Sequence, residues 1–71
     1  MTKDIYQEIQ ETMQIVEQIY EMWASNLKKR LDNLKRINIE SLIVLIEYEK
    51  TNGSIKNKAD IIRYIDGITQ D

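Results

Sequence analysis

Residues 5–37 read IYQEIQETMQIVEQIYEMWASNLKKRLDNLKRI, and apolar side chains recur through this stretch at seven-residue spacing. The first heptad series comprises Tyr6, Met13, Tyr20, Leu27 and Leu34, and the second comprises Ile9, Val16, Trp23, Arg30 and Ile37. Nine of these ten positions are apolar or aromatic, and no Pro or Gly interrupts the stretch. Two such series, three residues apart, are typical of a coiled-coil helix that packs along another helix. The pattern predicts one helix over about residues 3–37, roughly 50 Å long at 1.5 Å per residue.

The apolar side of this predicted helix is wider than a coiled-coil contact line. Ile5, Ile15, Ile19 and Met22 extend it between residues 5 and 23, so more than one neighbouring helix must cover it. Thr2 is the expected N-cap, with Asp4 in the first turn, where the helix dipole favours a negative charge. Residues 25–26, Ser and Asn, are the one place where the pattern allows a kink.

The second half of the chain predicts two shorter helices. Asn38 is the expected N-cap of a helix over about 39–51, and Gly53 suits the left-handed position that ends it. The apolar run 42–46 could also form a buried strand, but the chain offers no second strand to pair with it. Ser54 is then expected to cap a helix over about 55–68, which Gly67 and the polar tail fray. The prediction is an all-α fold: one long heptad-patterned helix and a two-helix hairpin, assembled as a dimeric helical bundle from a single domain of residues 1–71.

The composition argues against most catalytic and metal chemistry. The 71 residues include no His and no Cys. Without them the chain cannot form a disulfide, a usual zinc site or a usual nucleophile–base pair. Two isolated glycines cannot form a phosphate-binding loop. The acidic residues Asp4, Glu8 and Glu11 share a helix face, which is more often solvated surface than a cation site. We therefore expect no enzyme activity, no cofactor, no metal and no small-molecule substrate.

The expected location is the cytoplasm. The longest unbroken apolar run, Leu42–Ile46, is five residues, whereas a membrane-spanning helix needs roughly 20. The first residues also lack the apolar core of a secretory signal.

Charge is distributed unevenly along the predicted long helix. Residues 1–24 carry one basic and five acidic side chains, whereas residues 25–38 carry five basic and one acidic. Two copies in parallel would therefore repel each other, and an antiparallel pair would place unlike charges together. We expect an antiparallel homodimer with a register centred near Tyr20, in which Arg30 approaches Gln10 and Glu11 of the second copy.

The leading functional hypothesis is a helical protein–protein interaction module, such as a small adaptor, inhibitor or regulator. A chain this short buries little surface alone, and oligomerisation is a usual remedy. The expected protein interface consists of Tyr6, Ile9, Met13, Val16, Ile19, Tyr20, Trp23 and Leu27.

The alternative hypothesis is a small nucleic-acid-binding regulator. Its candidate phosphate-contacting residues are Lys28, Lys29, Lys35 and Arg36. A basic end of a helix is also favoured by the helix dipole, and these cations do not form a single stripe, so this hypothesis ranks second. The last two predicted helices could form a helix-turn-helix. Asp60 and Asp66 argue against this interpretation, because they lie on the helix that would contact DNA.

Overall fold

The computed structural model describes residues 4–70, and this part of the chain folds into helices joined by short turns, without strands. It contains α1 (Ile5–Asn26), α2 (Lys28–Lys35), α3 (Ile39–Asn52) and α4 (Lys58–Thr69). The all-α prediction is confirmed, including the helical state of the apolar run 42–46.

The predicted single helix over 3–37 is wrong in one respect, because it is broken into α1 and α2. Leu27 separates them with φ −129° and ψ 55°, immediately after the Ser–Asn pair where a kink was considered. The reason is the size of the hairpin: α3 and α4 have 14 and 12 residues, about 21 and 18 Å, too short to cover a helix of roughly 50 Å. Bending at Leu27 brings α2 back onto the core, where Leu31 and Leu34 are buried.

The start of α1 is set by Asp4 rather than by Thr2. The Asp4 side chain accepts a hydrogen bond from the backbone N–H of Tyr6 at 3.2 Å. Thr2 and the predicted first helical residue, Lys3, lie outside the described residues. Helix α3 begins and ends as predicted. The Asn38 side chain accepts hydrogen bonds from Glu40 N–H at 2.9 Å and Ser41 N–H at 3.4 Å, and Gly53 has φ 85°.

Helix α4 begins three residues later than predicted, and Ser54 does not cap it. The backbone N–H groups of Ser54 and Ile55 instead donate to the Glu49 carbonyl, which closes α3. Asn57 is the N-cap: its side chain accepts from Asp60 N–H at 3.0 Å, while the Asp60 carboxylate accepts from Lys56 N–H at 2.9 Å. This reciprocal pair resembles a capping box, a signal present in the sequence at residues 57–60 and missed there.

The end of α4 is ordered by specific contacts and does not fray at Gly67. The helix continues to Thr69, which is 1% exposed and donates its hydroxyl to the Ile65 carbonyl at 2.8 Å. The Thr69 carbonyl accepts a hydrogen bond from Asn33 Nδ2 at 2.6 Å, which joins α4 to α2.

One hydrophobic cluster lies between the four helices. Its buried members are Val16, Ile19, Trp23, Leu31, Leu34, Leu42, Ile46, Ile55, Ile61 and Ile65. On α4 the buried side chains are Ile61, Ile65 and Thr69, whereas Ala59 and Ile68 are exposed. The described residues extend over 40 × 20 × 19 Å, so the molecule is elongated. Among them, no helix is both long and apolar enough to cross a membrane.

Candidate functional site

Three members of the first heptad series are exposed, whereas its last member, Leu34 on α2, is fully buried in the core. Tyr6 is 74% exposed, Met13 40% and Leu27 44%, and Tyr20 between them is half-buried. Seven-residue spacing places these four side chains in one row on the helix. The row therefore forms an apolar strip that the rest of the described chain leaves largely uncovered.

The second heptad series contributes side chains of α1 to the chain's own core. Val16 and Trp23, together with Ile19, are at most 2% exposed. These three predicted interface residues pack against the chain's own helices, and Ile9 of the same series is half-buried. A partner could reach the buried residues only if α1 separated from the rest of the chain.

Two polar contacts fix α1 against the hairpin. Thr12, fully buried, donates its hydroxyl to Glu47 Oε2 at 2.9 Å and accepts from Lys50 Nζ at 2.8 Å. Lys50 and Glu47 are also paired with each other at 2.9 Å, so the three groups close a ring between α1 and α3. Further along α1, Lys58 Nζ of α4 donates to Gln18 Oε1.

A second apolar surface lies on α3. Val44 is 67% exposed, Leu45 47% and Tyr48 61%, and a shallow depression of about 440 Å³ is lined by Val44, Leu45, Glu40 and Ser41. The run 42–46 is apolar on all sides of the helix, but only Leu42, Ile43 and Ile46 of this run are buried. An all-round apolar helix in so short a chain was the sequence signal for this surface.

The candidate nucleic-acid residues are all exposed and lie together on one short element. Lys28, Lys29 and Lys35 belong to α2, and Arg36 is its C-cap. Helix α2 carries four basic and one acidic side chain, whereas α1 carries four acidic side chains and no basic one. The break at Leu27 therefore divides the chain into an acidic helix and a basic helix.

Arg30 is separated from this basic group by its contacts. It forms an ion pair with Asp66 of α4, and its guanidinium carbon lies 5.8 Å from the centre of the Trp23 ring. Within the chain, Arg30 thus joins α2 to α4 and to the end of α1. Its predicted approach to Gln10 and Glu11 of a second copy remains a prediction.

The only side chain among the described residues with a resolved pKa change is Tyr20. Partial burial raises the pKa of its phenol above the ordinary value of 10.0, because desolvation disfavours the phenolate. Within α1, Tyr20 is the member of the first heptad series that packs against the core.

The described residues hold no group of three or more acidic side chains arranged to bind a metal ion. No protein-family model, curated protein or solved structure matches this chain.

Proposed function

We propose that this protein is a non-enzymatic helical module that binds other protein chains and works as a homodimer. The observation that carries the proposal is the exposure of Tyr6, Met13 and Leu27 in the first heptad series, beside a core formed by other residues. Apolar side chains repeated every seven residues are the pattern by which one helix binds another. The exposed α3 surface at Val44, Leu45 and Tyr48 offers a second contact area for a protein partner.

The polar groups of the molecule support a binding role over a catalytic one. With no His and no Cys in the chain, the common general bases and thiol nucleophiles are missing. The one buried hydroxyl in a polar network, that of Thr12, already contacts a paired lysine and carboxylate. That arrangement joins two helices and leaves no unpaired base beside the hydroxyl.

Charge favours an antiparallel arrangement of the two copies. The acidic α1 of one copy would then lie nearer the basic α2 of the other, whereas a parallel pair would bring like charges together. Exposed ion pairs contribute only about 0–1 kcal/mol each, so they select the orientation. Affinity comes from covering apolar side chains, at about 1.5–3 kcal/mol for each one that passes from full exposure to full burial.

The test replaces two members of the exposed series. Met13→Gln with Leu27→Gln keeps helix propensity, and both side chains are partly exposed, so we expect the monomer fold to survive. In the dimer, each substitution removes about 1 kcal/mol of favourable apolar burial per chain. The dimer dissociation constant measured by sedimentation should therefore rise by roughly 30- to 1000-fold.

Met22→Gln is the matched control for this variant. Met22 is 50% exposed on the same helix but lies outside the first series, so its replacement should leave the dimer unchanged. Equal weakening by both variants would contradict the role of the heptad series. A monomer at every concentration of the unmodified protein would contradict the homodimer.

Nucleic-acid binding is the second candidate, supported by the four exposed cations at Lys28, Lys29, Lys35 and Arg36. Phosphate contacts would make the affinity fall steeply with salt. The test is fluorescence anisotropy with short DNA and RNA at low salt, using Lys28→Glu with Lys29→Glu and, as the control, Lys56→Glu at an exposed site away from α2. If the unmodified protein has no affinity at low salt, this candidate function is refuted.

A further inference from the structure

The junction at Leu27 has only a weak local cause in the sequence, the helix-disfavouring pair at residues 25–26. Residues 24–30 contain no Gly or Pro, and Leu, Lys and Arg are good helix formers. The other three helices begin with side-chain caps at Asp4, Asn38 and Asn57, whereas α2 begins at Leu27, which has no side-chain acceptor. Local preferences therefore favour a continuous helix through the junction.

Tertiary contacts hold α2 in its bent position, and two of them connect it to α4. Arg30 pairs with Asp66, and Asn33 Nδ2 donates to the Thr69 carbonyl at 2.6 Å. These two contacts join α2 directly to α4, so both helices can move together, whereas the contact of Arg30 with the Trp23 ring of α1 would have to be remade. The contacts between α1 and the hairpin are separate ones, at Thr12 with Glu47 and Lys50 and at Gln18 with Lys58.

Straightening the junction needs a change at very few backbone angles. Leu27 N–H already donates to the Trp23 carbonyl at 3.0 Å, and Leu31 N–H to the Leu27 carbonyl at 3.0 Å, both as in a helix. If Leu27 became helical, α1 and α2 would form one helix over residues 5–35, about 46 Å long. The N–H groups of residues 28–30 would then bond to the carbonyls of residues 24–26. Helices α3 and α4 would be carried away from their own α1.

We propose that two copies exchange their α3–α4 hairpins by straightening at Leu27, so that the α1 core face of each copy is covered by the partner's hairpin. This inference rests on the proposed homodimer and specifies how that dimer forms. It places the two-fold axis at Leu27 instead of near Tyr20, so Arg30 no longer approaches Gln10 and Glu11 of the second copy. The core contacts of α1 with the rest of the monomer are remade between the chains, which is why exchange of an identical element is a low-cost route to a dimer. Helical hydrogen bonds across the junction are the net gain.

The distribution of charge supports a second copy of this chain as the partner that covers the core face of α1. With Leu27 of both chains at the two-fold axis, the straight helices run antiparallel, and residue 21 lies opposite residue 33 of the partner. Glu17 and Glu21 of one chain then approach Lys35 and Arg36 of the other. The acidic α1 segment and the basic α2 segment thus lie side by side only when the junction is straight and the copies are antiparallel. Leu27, 44% exposed in the bent chain, meets its symmetry mate.

The first test uses the absence of native cysteines. Chains carrying Gln18→Cys and chains carrying Lys58→Cys are mixed, unfolded, refolded together and treated with a short bismaleimide. Gln18 and Lys58 are exposed and in contact, so each variant should fold. We expect a covalent product of twice 8.5 kDa from the mixture and none from either variant alone. The double variant, with both cysteines in one chain, should also link into dimers.

Sedimentation of the same samples separates the two proposals. A dimer that yields only intrachain links in the double variant, and none in the mixture, overturns the exchange but leaves the homodimer. A monomer at every concentration overturns both. The matched control is the pair Lys29→Cys with Gln70→Cys, which line one depression between α2 and α4 and should link within one chain in either form.

A second test compares Leu27→Gly with Leu27→Ala. Both variants remove the leucine side chain, but only glycine disfavours a helical residue 27, and it does so at two junctions per exchanged dimer. We expect the glycine variant to have a dimer dissociation constant about 10- to 30-fold higher than the alanine variant. Equal constants would overturn the straightened junction, because residue 27 is non-helical in the bent chain and the two variants would then be equivalent.

Discussion

The ring formed by Thr12, Glu47 and Lys50 gives a quantitative prediction about how α1 is held to α3. Thr12→Val keeps the size and the β-branched shape of the side chain but removes the hydroxyl. Both hydrogen bonds of that hydroxyl, at 2.9 and 2.8 Å, are to charged partners. Glu47 and Lys50 remain paired with each other at 2.9 Å after the change, so neither charge is left alone.

The magnitude follows from the burial of the three groups. A hydrogen bond to a charged group contributes about 1.5–3 kcal/mol. The Glu47 and Lys50 side chains are 19% and 27% exposed, so water can replace part of the hydrogen bonding that they lose. The buried valine also adds a small apolar stabilisation. We expect the free energy of unfolding to fall by about 1–2.5 kcal/mol, which corresponds to a drop in Tm of roughly 5–15 °C for a chain of this size.

The assay is thermal and urea unfolding followed by far-ultraviolet circular dichroism, at one fixed protein concentration because association shifts the midpoint. Thr12→Ser is the control: it keeps the hydroxyl and loses one methyl group, so we expect a loss of about 0.8–1.5 kcal/mol. A Thr12→Val variant as stable as the unmodified protein, or more stable, would refute the view that the ring stabilises the α1–α3 contact.

Three further predictions concern single side chains. Asn38→Ala should lower the free energy of unfolding by about 1 kcal/mol, because it removes the cap of α3, and Ser54→Ala should change it by less than about 0.5 kcal/mol in the same urea titration; equal losses would contradict the assignment of the caps. Burial raises the pKa of Tyr20 above 10.0, so the folded state holds the phenolic proton more tightly than the unfolded state does. The resulting contribution to folding stability is complete below about pH 10 and is lost as the pH rises through the pKa of the folded state. Urea unfolding should therefore show a steeper loss of stability above pH 10 in the unmodified protein than in Tyr20→Phe, and parallel curves would contradict it. Arg30→Leu should tighten association and admit larger species in sedimentation, because a polar residue at a heptad position fixes the register at the expense of stability; a variant that stays strictly dimeric with lower stability would show that the register role is wrong.

The sequence contained clear signals for those features of the fold that depend on local chemistry. Asn38 and Gly53 bound α3 as predicted, because a side-chain cap and a left-handed glycine act within one turn of the chain. The break at Leu27 was only partly predictable. The Ser–Asn pair at residues 25–26 allowed a kink, but the break itself follows from the burial of Leu31 and Leu34 against helices far along the chain.

The candidate surface was only partly predictable for a related reason. Heptad spacing identifies which residues of α1 pack against something, but it does not say whether the partner belongs to the same chain. Val16 and Trp23 pack inside the chain, whereas Tyr6 and Met13 remain exposed. The α3 surface at Val44 and Tyr48 was not predicted, because an apolar run without helical periodicity does not show which of its sides the neighbouring helices cover.

The measurement that tests the central claim most directly is the solution molar mass of the unmodified protein by sedimentation, over a wide dilution series at low and high salt. The account predicts a reversible dimer of twice 8.5 kDa at high concentration, with dissociation on dilution. A folded monomer throughout the series would contradict the homodimer, and the exposed row from Tyr6 to Leu27 would then have to bind a different protein.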